Sequence, residues 1–190
     1  MTKMNKISFN ILPSPETNDH EIRILIDDED FLGDDYLGLD PPSFFSQDNF
    51  DKHGELLVGR CTCGVEGCCD YLVTVIVNQD NISWTNNNGL DLIFDRQEYN
   101  HSIYVAKNDY SWEDIKRKVE RLTTSILINS QTKDNYYFNW ASARIDDKQI
   151  TLSYSKNGDQ KLYNISWDGQ SESNVEDSVK KFFYDKLKAD

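Results

Sequence analysis

The stretch DYLVTVIVNQDNISWTN, residues 70–86, decides the fold. Residues 70–78 are rich in β-branched side chains, with apolar residues at both odd and even positions. Such a strand is typical of the centre of a sheet, where both faces are covered. The polar residues QDN then form a turn, and NISWTN, residues 81–86, continues an antiparallel meander.

Eight further strands are predicted, the first two of them from period-two alternation of apolar and polar residues. They comprise residues 6–12, 20–26, 55–60, 91–95, 102–107, 136–146, 149–155 and 161–167. The first two form a hairpin across the turn-rich PSPETND. Asn157-Gly158 separates the last two and is a strong two-residue hairpin signal.

Two segments have helical periodicity. Residues 111–129 begin with Ser111 and Asp114 as a capping box and place Ile115, Val119, Leu122 and Ile126 on one face. Residues 173–189 begin with Ser173 and Glu176 in the same relation.

The sequence predicts one α+β domain, residues 1–190, in which two main helices pack on an antiparallel sheet of meanders and hairpins. The tetrapeptide NISW occurs at 81–84 and at 164–167, each time upstream of a capped helix. A duplicated β-β-α unit, with sub-units 1–130 and 131–190, is therefore an alternative.

Charge limits the kinds of partner. The 190 residues include 33 acidic and 20 basic side chains, for a formal net charge of −13. Because nucleic-acid backbones are anionic, we expect no direct nucleic-acid binding. The first residues lack the apolar run of a signal peptide, and no apolar stretch is long enough to span a membrane. We therefore expect a cytoplasmic protein without a membrane partner, in a reducing compartment that disfavours disulfides.

The acidic residues are concentrated between positions 15 and 55. This segment has 13 acids against Arg23 and Lys52, so one surface region is expected to carry almost all of the net negative charge. It also contains large apolar residues, which a disordered acidic linker lacks. We expect an ordered segment whose aromatic residues pack on the core and whose carboxylates point outward.

All four cysteines lie within GRCTCGVEGCCDYLV, residues 59–73. Cys61, Cys63, Cys68 and Cys69 could bind zinc, with His53 as a substitute ligand, or one could be a redox thiol. The pattern favours a third interpretation, in which they pack as small apolar residues at a tight corner. There Gly59, Gly64 and Gly67 would supply unusual backbone angles. We therefore predict no metal and no cofactor.

Residues 38–45, GLDPPSFF, and 56–76, LLVGRCTCGVEGCCDYLVTVI, resemble a set of uncharacterised bacterial proteins. Their hallmark is a Gly-Leu-Asp-Pro stretch upstream of a strand ending in Gly-x-Cys-x-Cys-Gly-x-x-Gly-Cys. The matching residues are Gly59, Cys61, Cys63, Gly64, Gly67 and Cys68; Cys69 goes beyond the pattern. The resemblance implies a structural unit and no established activity.

The sequence does not predict an enzyme. His20, His53 and His101 are isolated, and DDEDFLGDD fails as an EF-hand because Leu32 and Leu39 occupy ligand positions. We instead predict a protein that binds and inhibits a protein partner with a basic surface. It would be an immunity protein against a bacterial toxin, or a phage or prophage anti-defence inhibitor.

The predicted partner-binding residues combine carboxylates, which steer association, with aromatic anchors. They are Asp27, Asp28, Glu29, Asp30, Phe31, Asp34, Asp35, Tyr36, Phe44 and Phe45. The alternatives are a zinc- or thiol-dependent protein centred on Cys61–Cys69, and a housekeeping domain of unknown role.

Overall fold

The computed structural model describes residues 3–13, 19–63, 65 and 67–187. They form an α+β protein of antiparallel sheets and helices, as predicted. The chain divides into two compact units, Met1–Trp112 and Glu113–Asp190. The helix predicted at 111–129 begins at Ile115, after the division, so it belongs to the second unit and not to a sub-unit 1–130.

The first unit contains two antiparallel sheets, ordered β1-β2-β3 and β4-β5-β6-β7-β8. Its strands are β1 Ile7–Pro13, β2 His20–Ile26, β3 Glu29–Asp30, β4 Tyr36–Leu37, β5 Gly54–Cys61, β6 Tyr71–Val77, β7 Asn81–Thr85 and β8 Asp91–Asp95. Its helices are α1 Pro41–Phe45 and α2 Arg96–Lys107. The predicted β1–β2 hairpin and the central place of β6 are both confirmed.

Backbone hydrogen bonds connect the two sheets at both edges of the five-stranded sheet. Asn5 donates its N–H to the Ile93 carbonyl at 2.6 Å, and Ile22 donates to Leu39 at 2.9 Å. Gly38 permits the second approach, because a Cβ atom there would lie 2.1 Å from the Ile22 carbonyl oxygen. The sheets thus curve around one apolar core.

Only one face of the central strand β6 is covered. Val73 and Val75 are buried, whereas Leu72 and Ile76 are 42% and 36% exposed. The expectation that both faces are covered is therefore wrong. A central position in the strand order does not require a second packed layer, because antiparallel sheets can leave one face open.

The strand predicted at 102–107 is also wrong, because these residues end helix α2. Asp95 begins this helix by accepting hydrogen bonds from the N–H groups of Gln97 and Glu98, both at 2.9 Å. Tyr99 and Ile103, four residues apart, are buried. The apolar Tyr104 and Val105 are exposed.

The second unit is a three-stranded antiparallel sheet, ordered β11-β10-β9, with two helices on it. Its elements are α3 Ile115–Leu127, β9 Tyr137–Asp146, β10 Gln149–Lys156, β11 Asp159–Ser166 and α4 Glu172–Lys186. The predicted hairpin turn is confirmed, since Asn157 and Gly158 have φ of 50° and 87°.

Both predicted helix caps of the second unit are displaced. Asp114, not Ser111, caps α3 by accepting from the Arg117 N–H at 2.8 Å. Ser171, not Ser173, caps α4 by accepting from the Asn174 N–H at 3.3 Å. Both side chains lie immediately before the first helical residue, which is where an oxygen can reach the free N–H groups.

The repeated tetrapeptide NISW occupies different places in the two units. The first copy lies in β7 between β6 and β8, whereas the second ends the edge strand β11, with Trp167 just beyond it, and is followed by α4. The repeat therefore does not mark equivalent strands.

The second unit also buries charge. Glu120, 7% exposed, lies 3.2 Å from the Arg117 guanidinium and 3.0 Å from that of Arg144. It also accepts the backbone N–H of Ala143 at 2.8 Å. This cluster joins α3 to β9, because Glu120 and Arg117 are on the helix and Ala143 and Arg144 are on the strand.

Within the described residues, no helix combines the length and apolar character needed to cross a bilayer.

Candidate functional site

The acidic loop, residues 27–35, joins β2 to β4 and includes β3. Its first residue has a structural role. Asp27 accepts hydrogen bonds from the Lys6 N–H at 2.8 Å, the Asn5 amide at 3.0 Å and the Lys3 ammonium at 3.1 Å. These bonds, the one from Lys6 above all, lower the pKa of Asp27 to about 2. Asp27 thus links the end of β2 to the residues that precede β1, and its carboxylate is not available to a partner.

A buried arginine, Arg23 on β2, holds the rest of the loop. It is 8% exposed and donates to the Asp30 carboxylate from Nε at 3.0 Å and from Nη2 at 2.7 Å. It also donates to the carbonyls of Gly33 and Tyr36. One planar guanidinium therefore fixes Asp30 and Gly33 in the loop and Tyr36 just beyond it, which a lysine could not do. The Asp30 carboxylate is therefore already paired within the protein.

Four other carboxylates of the loop are exposed: Asp28, Glu29, Asp34 and Asp35. In the part of the chain that the structure describes, no ion pair or hydrogen bond involves their side chains. They are held on a fixed backbone and are available to solvent or to a partner.

An aromatic stack accompanies these carboxylates. The Tyr71 ring lies between Phe31, at 5.4 Å between centroids, and Tyr36, at 4.8 Å, with interplanar angles of 16° and 22°. All three residues are half-buried. Sequence reasoning missed Tyr71 because its only signal was its place at the start of β6.

Gly59 makes room for this arrangement. A Cβ atom there would lie 2.8 Å from the Leu32 side chain and 3.3 Å from that of Tyr36. The residue thus allows the loop to pack against β5, and its role is close approach instead of the unusual backbone angle that was predicted. Gly67 does have a positive φ, of 76°. Gly64 lies outside the described residues.

The prediction that Phe44 and Phe45 are partner-binding anchors is wrong. They are 0% and 7% exposed, and both rings lie 5.9 Å from that of Phe9. The short helix α1 places both of them in the core. The expectation that aromatic residues of this segment pack inward is confirmed for these two.

The acids of residues 15–55 do not form a single patch, contrary to expectation. Tyr36, next to the acidic loop, pairs with Cys61 at the end of β5. Asp48, Asp51 and Glu55 lie before or at the beginning of that strand. An eight-residue strand is roughly 25 Å long, so the two groups occupy opposite ends of it. Glu16 lies outside the described residues.

The net charge is nevertheless confined to one unit. Residues 1–112 contain 20 acidic and 7 basic residues, a formal charge of −13, whereas residues 113–190 contain 13 of each. The whole excess of negative charge thus belongs to the unit that bears the acidic loop.

The thiol cluster, Cys61, Cys63 and Cys68, lies at the end of β5 that adjoins Tyr36. The three sulfur atoms are all within 4.8 Å of one another. Cys61 is half-buried, Cys63, Cys68 and Cys69 are exposed, and all four thiols are free. The prediction that they pack as small apolar residues is therefore wrong.

His53 cannot join the thiol cluster. It precedes β5, at the opposite end from Cys61, and its Nδ1 accepts the Val77 N–H at 3.3 Å. The other two histidines lie elsewhere in the first unit, His20 at 5.0 Å from the Trp112 ring and His101 exposed on α2.

The sulfur atoms of the thiol cluster influence one another's ionisation. Hydrogen bonds from the Cys61 thiol and from the Val65 N–H lower the pKa of Cys63. The Cys68 thiol donates to Cys63, and this bond, with the charge on Cys63, raises the pKa of Cys68 to about 12. The cluster therefore favours one thiolate and opposes a second.

Comparison of the chain with protein-family models, curated proteins and solved structures found no match. The resemblance of residues 38–76 to uncharacterised bacterial proteins stays a prediction.

Proposed function

We propose that this protein binds a protein partner with a basic surface through the acidic loop and inhibits it without catalysis. The observation that carries the proposal is the group of exposed carboxylates, Asp28, Glu29, Asp34 and Asp35, on a loop fixed by Arg23. An immunity protein against a bacterial toxin, or a phage or prophage anti-defence inhibitor, has this role.

The two kinds of side chain in the surface have separate tasks. Carboxylates that are not neutralised within the protein attract a cationic surface and raise the association rate. Half-buried aromatic rings provide contact area at low entropic cost and supply the lasting contact. Phe31, Tyr36 and Tyr71 take this second role, in place of the buried Phe44 and Phe45.

Fixed geometry supports the same proposal. A loop that was ordered only on binding would use part of the binding free energy for its own ordering. Here the Arg23 guanidinium and the Asp27 carboxylate hold both ends of the loop through hydrogen bonds already present in the free protein. The carboxylates are thereby pre-positioned.

The test compares two variants with the same net charge. The loop variant is D28N/E29Q/D34N/D35N, and the control, D48N/D80N/D91N/E98Q, neutralises four exposed acids elsewhere in the first unit. Affinity capture with quantitative mass spectrometry identifies basic proteins bound by the wild type and the control. Each is then purified for calorimetry and assayed for inhibition.

We expect the loop variant to lose both capture and inhibition, and the control to keep both. Equal losses in the two variants would indicate nonspecific charge attraction, and equal retention would assign the binding to another surface. Either result contradicts the proposal.

A further inference from the structure

We propose that Cys61, Cys63 and Cys68 bind one zinc ion through three thiolates, with the fourth coordination position open to solvent or to an external ligand. This metal site is independent of the binding function proposed above.

The distances suit a small thiophilic cation. In a tetrahedral site with Zn–S bonds of about 2.3 Å, the sulfur atoms lie about 3.8 Å apart. The three Sγ atoms are already within 4.8 Å of one another, so modest side-chain rotations reach that spacing. Thiolates select zinc over magnesium and calcium, which prefer oxygen ligands.

The backbone holds two of the ligands around a tight turn. Cys68 donates its N–H to the Val65 carbonyl at 3.2 Å, and the Val65 N–H in turn donates to the Cys63 sulfur. Gly67, with its positive φ, donates its N–H to the Asp70 carboxylate at 3.0 Å. These bonds bring Cys63 and Cys68 back toward Cys61 at the end of β5.

A bound dication would replace the mutual repulsion of the thiolates with a net attraction. Three thiolates whose sulfur atoms lie within 4.8 Å of one another would repel each other without a cation between them. A dication offsets that repulsion, so each thiol transfers its proton to solvent as its sulfur–zinc bond forms. The −13 charge of the first unit also favours the approach of a cation.

Cys69 provides a matched control. It is exposed and adjacent to Cys68, yet it lies outside the group of mutually close sulfur atoms. Three-thiolate coordination therefore predicts unequal effects of the four serine substitutions, whereas nonspecific binding to exposed thiols predicts equal ones.

The experiment titrates the reduced, full-length protein with Co²⁺ under argon, and Zn²⁺ then displaces the cobalt. Sulfur-to-cobalt charge-transfer absorption reports how many thiolates bind. We expect one ion per chain for the wild type, affinity within twofold for Cys69→Ser, and at least about a hundredfold weaker binding for Cys61→Ser, Cys63→Ser and Cys68→Ser. Cys61→Ala serves as a second variant if the half-buried Cys61→Ser does not fold.

Three results would overturn the inference. The first is a wild type that binds neither Co²⁺ nor Zn²⁺ at micromolar concentration. The second is a Cys69→Ser variant whose binding is weakened as much as that of the cluster variants. The third is binding of Cu⁺ without binding of Zn²⁺. The loop variant D28N/E29Q/D34N/D35N is expected still to bind one Co²⁺. Loss of partner capture and loss of metal are thus separate outcomes.

Discussion

The two units differ in how they use charge. The second unit is formally neutral, and its carboxylates pair internally, as in Glu113–Arg121 at 2.8 Å, Glu172–Lys118 at 2.6 Å and the buried cluster around Glu120. The first unit carries all of the −13 and leaves four loop carboxylates without an ion pair among its described residues. Both units use ion pairs to stabilise their folds, as Arg23–Asp30 does in the first, but only the first unit also presents an excess of negative charge to solvent.

The largest expected loss of stability comes from a substitution that breaks the buried ion pairs of the second unit. Glu120→Ala removes the buried carboxylate that lies 3.2 Å from Arg117 and 3.0 Å from Arg144, which should cost about 3–5 kcal/mol. Hydrogen exchange of the β10 amides measures the loss in that unit. Glu176→Gln removes only an exposed pair with Lys180 and should cost less than about 0.5 kcal/mol. Equal effects would show that the Glu120 cluster does not hold α3 on the sheet.

A smaller loss of stability is expected on substituting Arg23, which anchors the loop that carries the exposed carboxylates. Arg23→Gln removes the bonds to Asp30, Gly33 and Tyr36 and should destabilise the loop by about 2–3 kcal/mol. Limited proteolysis and exchange of the amides of residues 27–36 measure this loss. The control Arg96→Gln loses an exposed bond to the Asn78 carbonyl. Unchanged protection of the loop in Arg23→Gln would refute the anchoring role.

The unpaired carboxylates predict a salt-dependent association rate with the captured partner. For the wild type, raising the salt from low to physiological concentration should slow association about tenfold, because exposed charges are screened beyond a Debye length of about 8 Å. Stopped-flow measurements should show a much weaker dependence for the loop variant. A dependence equal to that of the wild type would place the steering charges elsewhere.

The smallest effect concerns acid stability, and it should occur in both units. The pKa of Asp27 is lowered to about 2 by the Lys6 N–H first and then by Lys3 and Asn5; that of Asp134 is lowered to about 2 by Lys161 and Thr132. A carboxylate with a depressed folded-state pKa stabilises the protein above its unfolded value of 3.8. That stabilisation is lost as the pH falls from about 4 to 2.

Thermal melts between pH 2 and 6 test this expectation. Asp27→Asn and Asp134→Asn should each have a shallower decline than the wild type. Parallel curves for the variants and the wild type would contradict it.

Sequence patterns predicted the elements that local chemistry determines. The β1–β2 hairpin, the Asn157-Gly158 turn and the central place of β6 follow from alternation and turn propensity. Helix α2 was missed because its exposed face carries Tyr104 and Val105, so that apolar residues fall outside the buried stripe. Whether a helix face is buried depends on the elements that pack against it, and sequence periodicity does not reveal those elements.

The candidate site was harder to predict for the same reason. The acidic loop was identified from composition, but composition cannot show that Asp27 and Asp30 are engaged with backbone and arginine groups. The burial of Arg23 opposes its average preference for the surface. The exposure of Cys63, Cys68 and Cys69, which follow the end of β5, is likewise not revealed by cysteine spacing.

The most direct measurement of the central claim is hydrogen–deuterium exchange of the full chain, with and without a captured basic partner. The account predicts that new protection on binding appears in residues 27–37 and around Tyr71, and that the loop variant shows none at equal partner concentration. New protection confined to residues 113–187, or identical protection in the loop variant, would contradict it.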